Sequence, residues 1–163
     1  MRHMNTELTI QTEPVEANLS FLDGHREEVL IYLPEQEGYR ASPADKLIHL
    51  FNDVRDAFLA VRRKKGGTNV LIILKSRIRW VEIEEKNAIW DEDRAERPCS
   101  IGISFPRGDK LRGTIFNDLP QGKHRVLDFM NQTDPYFLLE RDDRAFLVSR
   151  AATSRIDDHT PNV

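Results

Sequence analysis

The densest chemistry in this chain is cationic. Arg62, Arg63, Lys64 and Lys65 stand in a row ahead of Gly66 and Gly67, and four cations at a turn can meet the phosphate oxygens of RNA, of a nucleotide or of a membrane surface. The same run has a structural use, because charge at a hairpin tip keeps a strand edge from pairing with another chain. A second group is Ile89 and Trp90, set among Glu84, Glu85, Asp91, Glu92 and Asp93. Tryptophan is enriched at binding hot spots, so this segment reads either as a partner-docking element or as a ring that packs back on its own domain while the acids keep it soluble. Asn52 and Asn131 each follow an apolar pair, a place where asparagine ends a helix by tolerating left-handed backbone. Arg77 and Arg155 each precede an isoleucine and could bind an anion, but in a strand an arginine so placed is expected to reach solvent or a carboxylate.

The sequence patterns of catalysis are missing. There is no His-x-x-x-His or Cys-x-x-Cys spacing for a metal, no Gly-x-Ser-x-Gly elbow and no glycine-rich phosphate loop ending in Lys-Ser or Lys-Thr. His3, His25, His49, His124 and His159 are scattered. Cys99 has Arg97 nearby, and a cation lowers a thiol pKa, but no histidine is close in sequence. Arg107-Gly108-Asp109 reads as a tight turn. No catalytic residue, metal ligand or cofactor is therefore assigned, and the chain is expected not to be an enzyme.

Composition narrows the class. With 163 residues, 39 % hydrophobic and 31 % charged, this is an ordinary globular chain of one or two small domains. No apolar run approaches the roughly 18 to 20 residues of a membrane helix, so no membrane span is expected. The start, Met1-Arg2-His3-Met4, lacks the apolar segment of a secretory signal. The lone cysteine forbids an internal disulfide, and a cytoplasmic location is expected. Net charge is −3, far from the basic balance of a domain held on nucleic acid by counterion release.

The elements that position these residues occur twice. Phe21 and Gly24 recur as Phe105 and Gly108 at an offset of 84 (105 − 21). Leu50-Phe51-Asn52 and Phe58-Leu59 recur as Phe129-Met130-Asn131 and Phe137-Leu138 at 79 (131 − 52), and Ser76-Arg77-Ile78 as Ser154-Arg155-Ile156 at 78 (154 − 76). Blocks that keep their order while the offset shrinks at loops point to an internal duplication. In the first copy, period-two alternation predicts strands over 15–21 and 28–33 around Asp23-Gly24. Ser42 and Pro43 open a helix that ends near Asn52, and strands follow over 58–63, 69–74 and 78–83. The second copy gives strands over 101–105 and to Phe116, a helix over 122–131, then strands over 137–140, 145–149 and 152–156. The division is a tail at 1–14, a first β-β-α-β-β-β repeat at 15–83, an acidic linker at 84–100, a second repeat at 101–157 and a tail at 158–163.

Units of about 60 residues with five short strands and one short helix have the size of a small barrel. The strand pair, the Leu-Asp-Phe-Met-Asn helix at 127–131, the Tyr-Phe-Leu-Leu strand at 136–139 and the closing Ser-Arg-Ile resemble uncharacterised bacterial domains near the Sm-like and SH3-like small barrels. The resemblance consists of core residues and turns, so it implies a mainly β (α+β) fold of two tandem five-stranded units and transfers no active site. Units this small bury little surface alone, so the repeats are expected to pack on each other or to dimerise.

Two functions follow as expectations. The first is a non-catalytic protein-interaction or regulatory module whose open strand edges accept a protein partner. The alternative is RNA or small-nucleotide binding through Arg62, Arg63, Lys64 and Lys65 with Tyr32, Trp80 or Tyr136 as stacking rings.

Overall fold

Alternation of apolar and polar residues makes the strands, and a computed structural model describes how they join over residues 12–34, 42–65, 69–84, 97–120, 122 and 125–161. Among the described residues there are ten strands and two α-helices: β1 Thr12–Phe21, β2 Arg26–Pro34, α1 Pro43–Asn52, β3 Phe58–Arg63, β4 Val70–Leu74, β5 Ile78–Glu84, β6 Arg97–Ser104, β7 Lys110–Asn117, α2 Val126–Met130, β8 Tyr136–Arg141, β9 Arg144–Ser149 and β10 Arg155–Asp158. The fold is mainly β. All ten strands belong to one open antiparallel sheet in the order β10-β6-β7-β8-β9-β5-β1-β2-β3-β4, so the two halves are one continuous sheet, joined where β5 pairs with β9. No helix among the described residues is long and apolar enough to cross a membrane.

Each half pairs its strands alike. β5 lies on β1, β1 on β2, β2 on β3 and β3 on β4; β10 lies on β6, β6 on β7, β7 on β8 and β8 on β9. The first hairpin turns at Gly24, whose φ of 89° only glycine adopts cheaply. Ser42 caps α1 by accepting from the Asp45 N–H, with Pro43 opening the helix. A hydrophobic cluster forms in each half. One holds Leu19, Val29, Ile31, Leu47, Phe51 and Val81; the other holds Ile101, Ile103, Ile115, Phe129 and Phe137. Full burial of each such side chain contributes about 1.5–3 kcal/mol.

Several sequence correspondences shift by one to three residues. Phe58 and Phe137, aligned as equivalents, face opposite ways: Phe58 is 58 % exposed and Phe137 is buried. Strand pairing sets Leu59 opposite Ile73 and Phe137 opposite Val148, so Leu59 is the core counterpart of Phe137 and Phe58 that of Tyr136. The Ser-Arg-Ile blocks also separate. Ser76 and Arg77 form a single 3-10 turn, Lys75–Arg77, before β5, whereas Arg155 and Ile156 are already in β10. Ile156 lies opposite Ile103 as Val81 lies opposite Leu19, which makes Val81 its counterpart. The last strand therefore runs to Asp158 instead of ending at 156. The second helix is also shorter than the expected span of 122–131, at Val126–Met130; Gly122 has φ 100°, a backbone no helix contains.

Candidate functional site

β8 and β9 are buried on both faces. Phe137, Leu139, Phe146 and Val148 fill the second core, while Tyr136, Ala145 and Leu147, with Leu138 beside them, fill the first. β3 and β4 hold the matching positions of the first half but are covered on one face only. Leu59, Val61 and Ile73 point into the core. Their neighbours Phe58 (58 % exposed), Val70 (51 %) and Ile72 (64 %) point outward, and β4 is the last strand of the sheet, with one edge of its backbone unpaired among the described residues. Its sequence, Val-Leu-Ile-Ile-Leu, has neither the charge nor the proline with which strand edges are usually protected.

The two halves are held together by groups that sequence reasoning did not pair. The Tyr136 N–H donates to Asn52 Oδ1 at 2.7 Å and Asn52 Nδ2 donates to the Tyr136 carbonyl at 3.1 Å. The end of α1 thereby clasps the start of β8. Asn52 keeps right-handed helical backbone, and the cap that follows it, Asp53, is extended, so the role of Asn52 is this clasp and not a left-handed turn. Asn131 also lacks left-handed backbone (φ −84°); it is exposed, and its side chain bonds to no described residue. The Tyr136 hydroxyl bonds to the carbonyls of Lys75 and Ile78, and burial holds the phenol protonated. Lys75, buried, donates to the Leu50 carbonyl at 2.7 Å at the end of α1; Arg150 donates to the Phe129 carbonyl at 3.1 Å at the end of α2. Each cation neutralises the negative end of its helix.

Between α1, α2, β7 and β8 lies a groove of about 750 Å³. Asp45, Asp53, Asp118, Asp134 and Glu140 line it against Arg55, Arg150 and His49, over Ile48, Phe116 and Leu138. Arg55 is bound to Asp53 at 2.7 Å and holds that carboxyl far below its ordinary range. The groove is acidic, which suits a cationic ligand and repels phosphate.

Arg79 is a third junction, also missed in sequence. Its buried guanidinium donates to Ser20 Oγ at 3.0 Å and to Asp109 at 2.6 Å, and stacks 4.3 Å over Trp80. The Asp109 carboxyl is pulled below its ordinary value by the hydrogen bond from Arg79. Arg107, in left-handed backbone with φ 74°, donates to the Asp23 carbonyl, so the Arg107-Gly108-Asp109 turn is a clasp between the two hairpins. The arginine before an isoleucine reads as expected at Arg155, which pairs with Asp157 at 3.1 Å.

The expected cationic site is partly neutralised. Arg63 pairs with Glu27 at 3.4 Å and Lys64 with Glu16 at 3.0 Å. Arg62 lies over the Tyr32 ring at 5.8 Å, and neither it nor Lys65 has a carboxylate partner among the described residues. Of the three proposed stacking rings, Tyr32 is 39 % exposed while Trp80 and Tyr136 are 4 % exposed, and a buried ring has no free face for a base. Ile89 and Trp90 lie outside the described residues. Cys99 is buried, and desolvation raises its thiol pKa, the reverse of activation. Among the described residues, no group of three or more His, Cys, Asp or Glu is placed to hold a metal. Comparison with family models, curated proteins and solved structures gave no match.

Proposed function

We propose that this protein is a non-catalytic interaction module of two small barrel-like units, arisen by duplication, that captures a protein partner at the β4 edge and the outer face of β3 and β4. The duplication is supported by the identical order of pairings in the two halves and by the matched pairs Lys75 with Arg150 and Leu50 with Phe129 at the helix ends. The observation that carries the function is the apolar face of Phe58, Val70 and Ile72 beside a row of backbone donors and acceptors that no described strand pairs with. An exposed apolar patch at a strand edge marks an interaction site, and an added strand supplies main-chain hydrogen bonds while pockets on the face give selectivity. Nucleic acid is disfavoured by the acidic groove, by two buried rings and by the pairing of Arg63 and Lys64.

The test is amide exchange at Val70–Leu74 with peptides selected against the protein from a library of extended sequences. Selected peptides are expected to slow exchange in β4, and Ile72→Lys to abolish the effect with the fold intact. Peptides that bind and leave β4 exchange unchanged would overturn the reading.

A further inference from the structure

Resting on that reading, we infer that the partner is a second copy of this chain: copies join head to tail, with β10 and the α2 flank of one docking on the β4 edge and outer β3–β4 face of the next. The chain already contains this contact once. Within it, β5 pairs with the free edge of β9, in the register Val81 opposite Leu147 and Ile83 opposite Ala145, while α1 lies against β8 and β9. β4 is the counterpart of β9 and β10 that of β5, and these two strands are the unpaired ends of the sheet. One end displays the acceptor half of an interface whose donor half stands unused at the other end.

The side chains follow the same correspondence. Ile72 lies opposite Ala60 as Leu147 lies opposite Leu138, both pointing away from their own core, so the register of β5 on β9 places Ile156 of one copy opposite Ile72 of the next. Asn131 is the repeat counterpart of Asn52, and Phe58 that of Tyr136. The clasp of Asn52 on the Tyr136 backbone thus has a vacant equivalent, Asn131 on the backbone of Phe58. Leu127, one turn before Asn131 on α2, is 58 % exposed; its counterpart on α1 is Ile48, which packs against the first core. Leu127 would cover Phe58 and Ala60. Charge agrees as well. The register sets Asp158 opposite Val70, whose neighbour on β3 is Arg62, so Asp157 and Asp158 approach Arg62 and Lys65, the two tip cations with no carboxylate partner among the described residues. The internal junction carries the same kind of pair, Arg144 with Glu82 at 3.0 Å. A contact between two different patches of one chain propagates, closing into a ring where the rotation allows and otherwise extending.

Light scattering on the full chain across a concentration series tests this, using two variants at opposite ends. Wild type is expected at twice the chain mass or more. Ile72→Lys, which spoils only the acceptor end, and Leu127→Lys, which spoils only the donor end, are each expected to be monomeric with an unchanged fold, weakened at least about tenfold. Mixed together, they are expected to form a one-to-one dimer, because each keeps the end the other lacks. Phe58→Ser is the second acceptor variant should Ile72→Lys not fold. A monomeric wild type, single variants that still associate, or a mixture that stays monomeric would overturn the proposal. The outcomes separate the two claims. Should selected peptides still protect β4 in a monomeric wild type, only self-association falls; should they bind elsewhere as well, the β4 reading falls with it.

Discussion

β8–β9 and β3–β4 are two hairpins in equivalent places with opposite fates. The first is apolar on both faces and buried on both, because the neighbouring half covers its outer side; Leu147 is fully buried there. The second carries apolar residues on both faces too, yet Phe58, Val70 and Ile72 remain exposed. A strand hidden on both sides reads as a continuous apolar run, and Val-Leu-Ile-Ile-Leu in β4 has the sequence of a strand hidden on both sides. The difference between the hairpins therefore lies in what surrounds them, and the uncovered apolar β3–β4 face is the feature on which the proposed interaction rests.

Three comparisons press on this contrast, beginning with the largest effect. Leu147→Ala leaves a cavity between two cores and is expected to cost about 2–5 kcal/mol in denaturant unfolding, whereas Ile72→Ala, at the matched outward position, is expected to change the stability of the isolated chain by no more than about 0.5 kcal/mol. Equal losses would mean that β4 is already covered. Asn52→Ala should cost about 1–3 kcal/mol, since the buried Tyr136 N–H loses its acceptor; Asn131→Ala should again be nearly silent in the isolated chain. The smallest effect concerns the hairpin clasp. Asp109 titrates below its ordinary value of 3.8 because Arg79 bonds its ionised form, so its contribution is fully present above that pH and is lost as pH falls through the lower, folded value. The stability gap between wild type and Asp109→Asn, followed by thermal unfolding, should hold steady at neutral pH and close in acid. A gap that widens in acid would refute the pairing.

Local physics made much of the fold legible. Alternation located β1 and β2, Asp23-Gly24 the hairpin between them, and Ser42-Pro43 the start of α1, because each signal acts within a few residues. What stayed hidden was set by partners far along the chain. Asn52 reads as a helix terminator until Tyr136, 84 residues on, is brought beside it. Phe58 and Phe137 match as letters but face opposite sides, since in hairpins apolar on both faces a slip of one residue leaves the pattern intact. Arg79 sits in no sequence motif, and only folding sets Ser20, Trp80 and Asp109 around it. The cationic run was legible as a feature but not as a site, because Glu16 and Glu27 reach it from other strands.

The most direct measurement is a disulfide between copies. Ile72→Cys and Ile156→Cys, prepared separately and mixed under mild oxidation, place their thiols across the β4–β10 register within the roughly 4.4–6.8 Å Cα separation a disulfide spans; native Cys99 is buried. The account predicts a crosslinked pair in the mixture and none in either variant alone. Ile72→Cys crosslinking to itself, or a mixture that never crosslinks, would contradict it.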